Sequence, residues 1–230
     1  MRNTMIGMLA VAAGLLLAPC LQASGGHYPV DDATITAPGD CQLESWFTRV
    51  NGGTWELAAL PACTSPGTPV ELTLGLYRLS VDDQSFNRIE PAAKWLIQPV
   101  TPGNWGGAME VQVGYEDGDF VNTLLNFPAT YEFVHAPVLL HLNLGWLRER
   151  DAENNWRNRL FSGLGLKYQA LAQLGIIGQV YREGADADPE VQLGLRFDVG
   201  GPFDHLDVAV GRQLEGERDT FATAGFAIIF

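Results

Sequence analysis

Hydrophobic and polar residues alternate along most of this chain. Leu72, Leu74 and Leu76 alternate with Glu71, Thr73, Gly75 and Tyr77, and Met109, Val111, Val113 and Tyr115 alternate with Glu110, Gln112 and Gly114. Farther on, Val138, Leu140, Leu142, Leu144 and Trp146 alternate with Leu139, His141, Asn143 and Gly145, and Val191, Leu193, Leu195 and Phe197 with Gln192, Gly194, Arg196 and Asp198. A period of two is the repeat of a β-strand. It predicts about twelve strands, with ten or fourteen as the alternatives, at 41–49, 53–63, 69–80, 92–101, 106–116, 120–133, 137–149, 156–168, 170–182, 190–199, 204–213 and 220–230. The sixth is the least regular, because Pro128 falls inside it and Leu124-Leu125 blurs the alternation.

A soluble β-sandwich alternates too, so period alone leaves two architectures open. Strand length separates them: these segments run to about ten residues, the span of a tilted membrane-crossing strand, where an average soluble strand has five or six. One face of each is Leu, Val, Ile and aromatic, and the other is Gly, Gln, Asn and charged residues. In a membrane barrel the first faces lipid and the second lines the interior. The predicted fold is therefore all-β, an antiparallel up-and-down transmembrane β-barrel over 41–230. Alternation then turns Glu71, Lys94, Glu110, His141, Asn143, Arg159, Lys167, Arg196, Asp198 and Asp207 toward the lumen.

The last eight residues, TAGFAIIF, place Phe226, Ile228 and Phe230 on one side of the final strand. With Thr223, then Gly225, then Ile228 and the terminal Phe230, this stretch resembles the C-terminal signal of bacterial outer-membrane β-barrels. The resemblance implies the outer membrane of a Gram-negative bacterium as the location. It also implies outer-membrane lipids and the barrel-assembly machinery as partners, and a terminal strand that closes the barrel with Phe230 at the periplasmic rim.

The start of the chain agrees with export. Met5 to Ala18 is apolar behind Arg2, and Leu21-Gln22-Ala23 offers a cleavage site, so 1–23 reads as a secretory signal peptide. The apolar run is shorter than the ~20 residues of a membrane-spanning helix. Residues 24–40 read as a periplasmic N-terminal segment ahead of the barrel. Loss of Arg2 leaves 13 basic against 27 acidic side chains, a formal charge of −14, which makes nucleic acid a poor partner. If the first strand runs outward, the external connections, at 50–52, 81–91, 116–119, 150–155, 183–189 and 214–219, carry most of the loop charge. The alternate connections are rich in turn residues and almost uncharged.

Two cysteines remain after the signal, Cys41 and Cys63. A first hairpin turning about Gly52 pairs residues whose numbers sum to 104, so Phe47 meets Leu57 and Cys41 meets Cys63. In an oxidising compartment that pair is a cross-strand disulfide with a structural role.

The chemistry is sparser. A lumen of mixed charge is either a water-filled pore or a network of ion pairs that fills the barrel. The leading reading is a passive, porin-like channel for small solutes. One alternative is an enzyme acting on lipid or lipopolysaccharide through His141 and Asn143, although no serine occupies a matching position for an activated hydroxyl. The other is a sealed structural or partner-binding barrel. His27, Asp31 and Asp32 are candidate metal ligands, but in a flexible segment they make a weak set, and a solvated tail is the preferred reading. No nucleotide fingerprint or zinc spacing occurs, and no cofactor or metal is expected.

Overall fold

The computed structural model describes residues 27–50, 53–81, 84–151, 154–183, 188–201, 203–216 and 219–230; the signal expected over 1–23 lies outside them. Twelve strands follow in chain order: β1 Cys41–Val50, β2 Trp55–Thr64, β3 Val70–Val81, β4 Gln84–Gln98, β5 Trp105–Glu116 and β6 Asp119–Glu132. The second half comprises β7 Val138–Arg150, β8 Trp156–Leu171, β9 Leu174–Glu183, β10 Glu190–Gly200, β11 Phe203–Gln213 and β12 Thr220–Ile229. Each strand pairs with its chain neighbours, and β12 pairs antiparallel with β1 from Gln42↔Ile229 to Val50↔Phe221. The sheet is thus a closed up-and-down barrel, and closure leaves no strand edge with unpaired backbone groups. Both ends of the barrel sequence lie at one rim, here the terminal rim, where Cys41 and Phe230 exchange backbone hydrogen bonds of 2.9 Å.

The number and order of the strands are those the alternation predicts, and the boundaries differ most at β4 and at the turn between β8 and β9. β4 begins at Gln84 and not near 92, so most of the loop expected over 81–91 is strand. Its first residues are mostly polar, Gln84, Ser85, Asn87 and Arg88 with only Phe86 among them, and Asn87 pairs with Arg78, whose guanidinium donates to the Asn87 side chain at 2.9 Å. A strand that continues past the lipid has no reason to keep an apolar stripe, and so escapes a search for one. At the terminal rim, β8 continues to Leu171, which moves the turn from the expected Gln169 to 172–173.

Three prolines sit inside strands, each where pairing with one neighbour lapses. β2–β3 pairing skips Leu60 and Pro61, β4–β5 pairing skips Glu90 and Pro91, and β5–β6 pairing skips Phe127 and Pro128. Proline has no N–H for the ladder. On their other sides the same residues keep register, as in Pro61↔Leu43, Pro91↔Leu74 and Pro128↔Asn143.

The outer face is built for lipid. Leu72, Leu74, Leu76, Leu144, Leu193 and Val210 are exposed along the wall. Aromatic side chains gather toward both ends: Trp105, Tyr131 and Phe133 toward the terminal rim, with centroids 5.3 and 5.0 Å apart, and Tyr115, Phe120 and Trp156 toward the opposite rim, 5.6 and 5.2 Å apart. The guanidiniums of Arg148 and Arg150 lie over the Trp156 ring at 5.0 and 5.1 Å. Two aromatic girdles around an apolar band are the outer surface of a transmembrane barrel.

The first hairpin has the expected register, Phe47↔Leu57 and Cys41↔Cys63, and Cys41 and Cys63 are joined as a disulfide with Cα atoms 4.1 Å apart. The bridge closes a loop of 22 residues at the terminal rim. Chain-entropy arguments give such a loop about 3 kcal/mol of stabilisation. Cys41→Ser/Cys63→Ser is therefore expected to lower the urea midpoint of the refolded barrel by an amount equivalent to ~3 kcal/mol. An unchanged midpoint would mean that the strand pairing already holds these ends together in the unfolded ensemble.

Candidate functional site

The interior is where the structure departs most from the sequence. The segment before β1, expected as a solvated tail, runs into the barrel and lines its wall as a belt. Residues 27–36 pass in turn β10 and β12, then β9 and β8, then β7, β6 and β3. Tyr28, Val30, Asp32, Ala33 and Thr36 are buried, and only Ala37 to Asp40, at the terminal rim, are exposed.

Side-chain amides on the wall hold the belt by imitating a strand. The Val30 N–H donates to Gln179 Oε1 at 3.1 Å, and Gln179 Nε2 donates back to the Val30 carbonyl at 3.3 Å. Asn143 does the same for the next residue: its Oδ1 accepts from Asp31 N–H at 3.0 Å and its Nδ2 donates to the Asp31 carbonyl at 2.6 Å. The Ala33 N–H donates to Thr130 Oγ1 at 2.9 Å, and the Thr36 N–H to Glu71 Oε2 at 2.7 Å. Buried backbone groups need such partners, and an extended segment away from any strand edge finds them only in side chains.

Charge and shape add to this. Lys94 Nζ lies 2.6 Å from Asp31 Oδ2 and 3.9 Å from Asp32 Oδ1. Val30, 0 % exposed, rests where the wall has Gly163 and Gly165; a Cβ on these glycines would come within 2.6 and 3.2 Å of its methyl groups. Gly194 makes room in the same way for the Tyr28 ring. Burying Val30 contributes about 2 kcal/mol to keeping the belt in place.

Arg196 packs against Tyr28 from the wall, its guanidinium 5.6 Å from the ring centroid. It is 0 % exposed and donates through Nε and Nη2 to the two oxygens of Asp207 at 2.9 and 2.6 Å. His141 is buried too, with Nδ1 3.0 Å from Thr130 Oγ1. That hydroxyl also accepts from the Ala33 N–H, so the belt covers both groups. Both side chains are buried inside the barrel and not on its outer wall.

The belt leaves a cavity of about 540 Å³ along the opposite side of the lumen and toward the opposite rim. Asp31, Glu44, Glu71 and Glu110 stand toward its terminal-rim end. Glu56, Glu90, Glu149, Glu183 and Glu190 stand farther up, with Trp46, Tyr77 and Tyr181 among them. Against nine carboxylates the lining has the cations Arg88 and Lys94. His27, which also lines it, does not add to them: burial pushes its imidazole down to about 4, leaving it neutral. Several acids have partners: Arg88 meets Glu116 at 2.9 Å and Glu90 at 3.8 Å, Trp46 Nε1 donates to Glu56 at 2.8 Å, and Tyr181 donates to Glu190. Among the described residues no three His, Cys or carboxylate side chains converge as a metal ion requires.

A family model described as "Uncharacterised conserved protein UCP029691" matches residues 12–230. The chain belongs to that family. No curated protein matches it. Among solved structures it is similar to the KdgM porin, at 12% identity and TM-score 0.63 over 81% of this chain and 98% of that one. It is also similar to the NanC porin, at 6% identity and TM-score 0.60 over 82% and 98%. The outer membrane phospholipase A of Escherichia coli follows at 11% identity and TM-score 0.50, over 83% and 93%. The KdgM porin has also been solved with a disordered oligogalacturonate. At these identities the likeness is one of fold: a twelve-stranded closed antiparallel barrel, consistent with an outer-membrane β-barrel.

The predicted lumen residues of this family member all fall on the inward face, but they divide into three groups. Asn143, Lys94 and Glu71 hold the belt; His141, Lys167, Arg196 and Asp207 are buried in the wall or beneath it. Glu110 lines the cavity, Arg159 pairs with Glu149 at 2.6 Å toward the opposite rim, and Asp198 accepts from Gln169 at 2.9 Å toward the terminal rim. Glu44, Glu56, Glu90, Glu183 and Glu190 were not singled out from sequence, although their inward parity was available to do so. The belt itself carried no periodic signal.

Proposed function

We propose that this protein is a porin-like outer-membrane channel for small solutes, gated by its own N-terminal segment and closed in the conformation described here. The observation that supports this reading is the belt: a segment outside the barrel sheet lies in the lumen, held by side chains on six or more strands. The contacts are hydrogen bonds, the ion pairs of Lys94 with Asp31 and Asp32, the Arg196–Tyr28 contact and packing onto glycines, all of which can be made and broken without disturbing the sheet. In this reading the terminal rim faces the periplasm, as the resemblance of TAGFAIIF to an assembly signal implies, and the acidic cavity opens toward the exterior. Outer-membrane lipid and the barrel-assembly machinery are the corresponding partners.

The test is conductance in a planar bilayer of the refolded mature protein beside a variant lacking residues 27–36. The full-length protein is expected to be closed with infrequent openings, and the deletion variant to conduct steadily. If the deletion variant, shown to be folded by heat-modifiable migration, stays silent, the wall side chains alone seal the barrel and a structural or partner-binding role replaces transport. Steady conductance of the full-length protein would instead remove the belt as a gate.

A further inference from the structure

We infer that the acidic cavity is a binding site for an organic polyamine, a small flexible molecule carrying two or more ammonium groups. This deepens the channel reading by naming the class of solute, and the site itself stands whether or not the solute crosses.

The argument starts from oxygen atoms that lack donors. Glu44 is 5 % exposed and lines the cavity, and its Oε1 has no hydrogen-bond partner among the described residues. Asn126, 2 % exposed, also lines the cavity; its Nδ2 donates to Asn143 at 3.0 Å, while its Oδ1 has no partner. A buried carboxylate oxygen and a buried amide oxygen, on two residues that line one cavity, both call for the same thing, a hydrogen-bond donor, and the carboxylate calls for a positive one. Buried polar atoms are normally satisfied, so two unpartnered acceptors in one cavity point to a ligand that donates.

The rest of the lining agrees with an elongated cation. Nine carboxylates face two cations, so the field disfavours anions throughout the space. An oligogalacturonate, the polyanion seen with the KdgM porin, is the wrong sign for this lumen. Acids occur at both ends: Glu44 and Glu110 deep inside, Glu183 and Glu190 at the opposite rim. Along β4, Lys94 and Arg88 are six positions apart, or ~20 Å of strand at about 3.3 Å per residue. Between the ends stand Trp46, Tyr77 and Tyr181, whose ring faces attract ammonium groups and pack against methylenes. The volume, about 540 Å³, lies within the usual range for small-molecule sites. A metal ion fits less well, since among the described residues no group of three ligands converges.

Spermidine is the probe, titrated by calorimetry into the folded mature protein in detergent at low salt. Saturable binding is expected, weakened about tenfold or more by Glu44→Gln because a charge-assisted hydrogen bond is lost. Glu215→Gln, an exposed acid near the opposite rim, is the control for diffuse surface charge and should leave the affinity unchanged. No heat with protein that migrates as folded, or equal weakening by both substitutions, overturns the site. Because the measurement needs no open pore, a closed or sealed barrel that binds spermidine leaves the inference standing while the transport reading falls.

Discussion

Gly194→Leu is expected to turn the closed barrel into a conducting one. A Cβ at this position would overlap the Tyr28 hydroxyl and come within 3.0 Å of the ring at Cε1 and Cζ. The ring has little freedom to retreat: Tyr28 is buried against Ile177 and Ala209, and Arg196 lies across its face. Overpacking of this kind costs about 1–3 kcal/mol. The cost falls on the docked belt and not on the strand pairing, so the docked-to-undocked ratio should drop roughly tenfold to hundredfold. Single-channel recording in a planar bilayer reads the change as open probability. Adding Tyr28→Ala removes the clashing ring and should restore closure, which separates displacement of the belt from damage to the wall. Open probability that stays at the wild-type level in a folded Gly194→Leu protein would show that Tyr28 is not part of the gate.

The second large effect concerns stability. Arg196→Met is expected to destabilise the barrel by ~3–5 kcal/mol, since it strands the Asp207 carboxylate in a buried position without its bidentate partner. The pair is almost fully enclosed, with side-chain exposures of 0 and 4 %, so water cannot take over the role of the guanidinium. Removing both charges is a different matter. Arg196→Met/Asp207→Leu replaces a buried ion pair with apolar groups of similar size, a change that is often neutral or stabilising. The urea midpoint of the double variant should therefore return to the wild-type value or exceed it. If the single variant costs nothing, the two charges do not depend on each other, and the interior is wetter than the geometry indicates. If the double variant stays as unstable as the single, Arg196 matters chiefly through its contact with Tyr28.

These two experiments act on residues that the sequence places in the same group. Alternation puts Gly194 and Arg196 on the inward face of one strand, and the structure agrees. What alternation does not show is what each one faces. Gly194 opposes a tyrosine that precedes it by 166 positions, and Arg196 is an internal clamp and not a lining charge open to passing ions.

The wall of this protein was legible in its sequence because lipid imposes a simple rule: one apolar side chain at every second position, over a length set by the bilayer. That rule located twelve strands, the inward parity of the polar residues and, through hairpin register, the Cys41–Cys63 bridge. It lost its grip where lipid no longer acts, as in the polar start of β4. The belt obeys no such rule. His27-Tyr28-Pro29-Val30-Asp31-Asp32 has the composition of a solvated tail, and its burial depends on partners contributed one at a time by Gln179, Asn143, Thr130, Glu71 and Lys94. These partners are scattered over more than a hundred residues and converge only when the barrel closes. Whether a polar lumen holds water or its own N-terminal segment is decided by that convergence, because a buried backbone is tolerated only where every donor and acceptor meets a match.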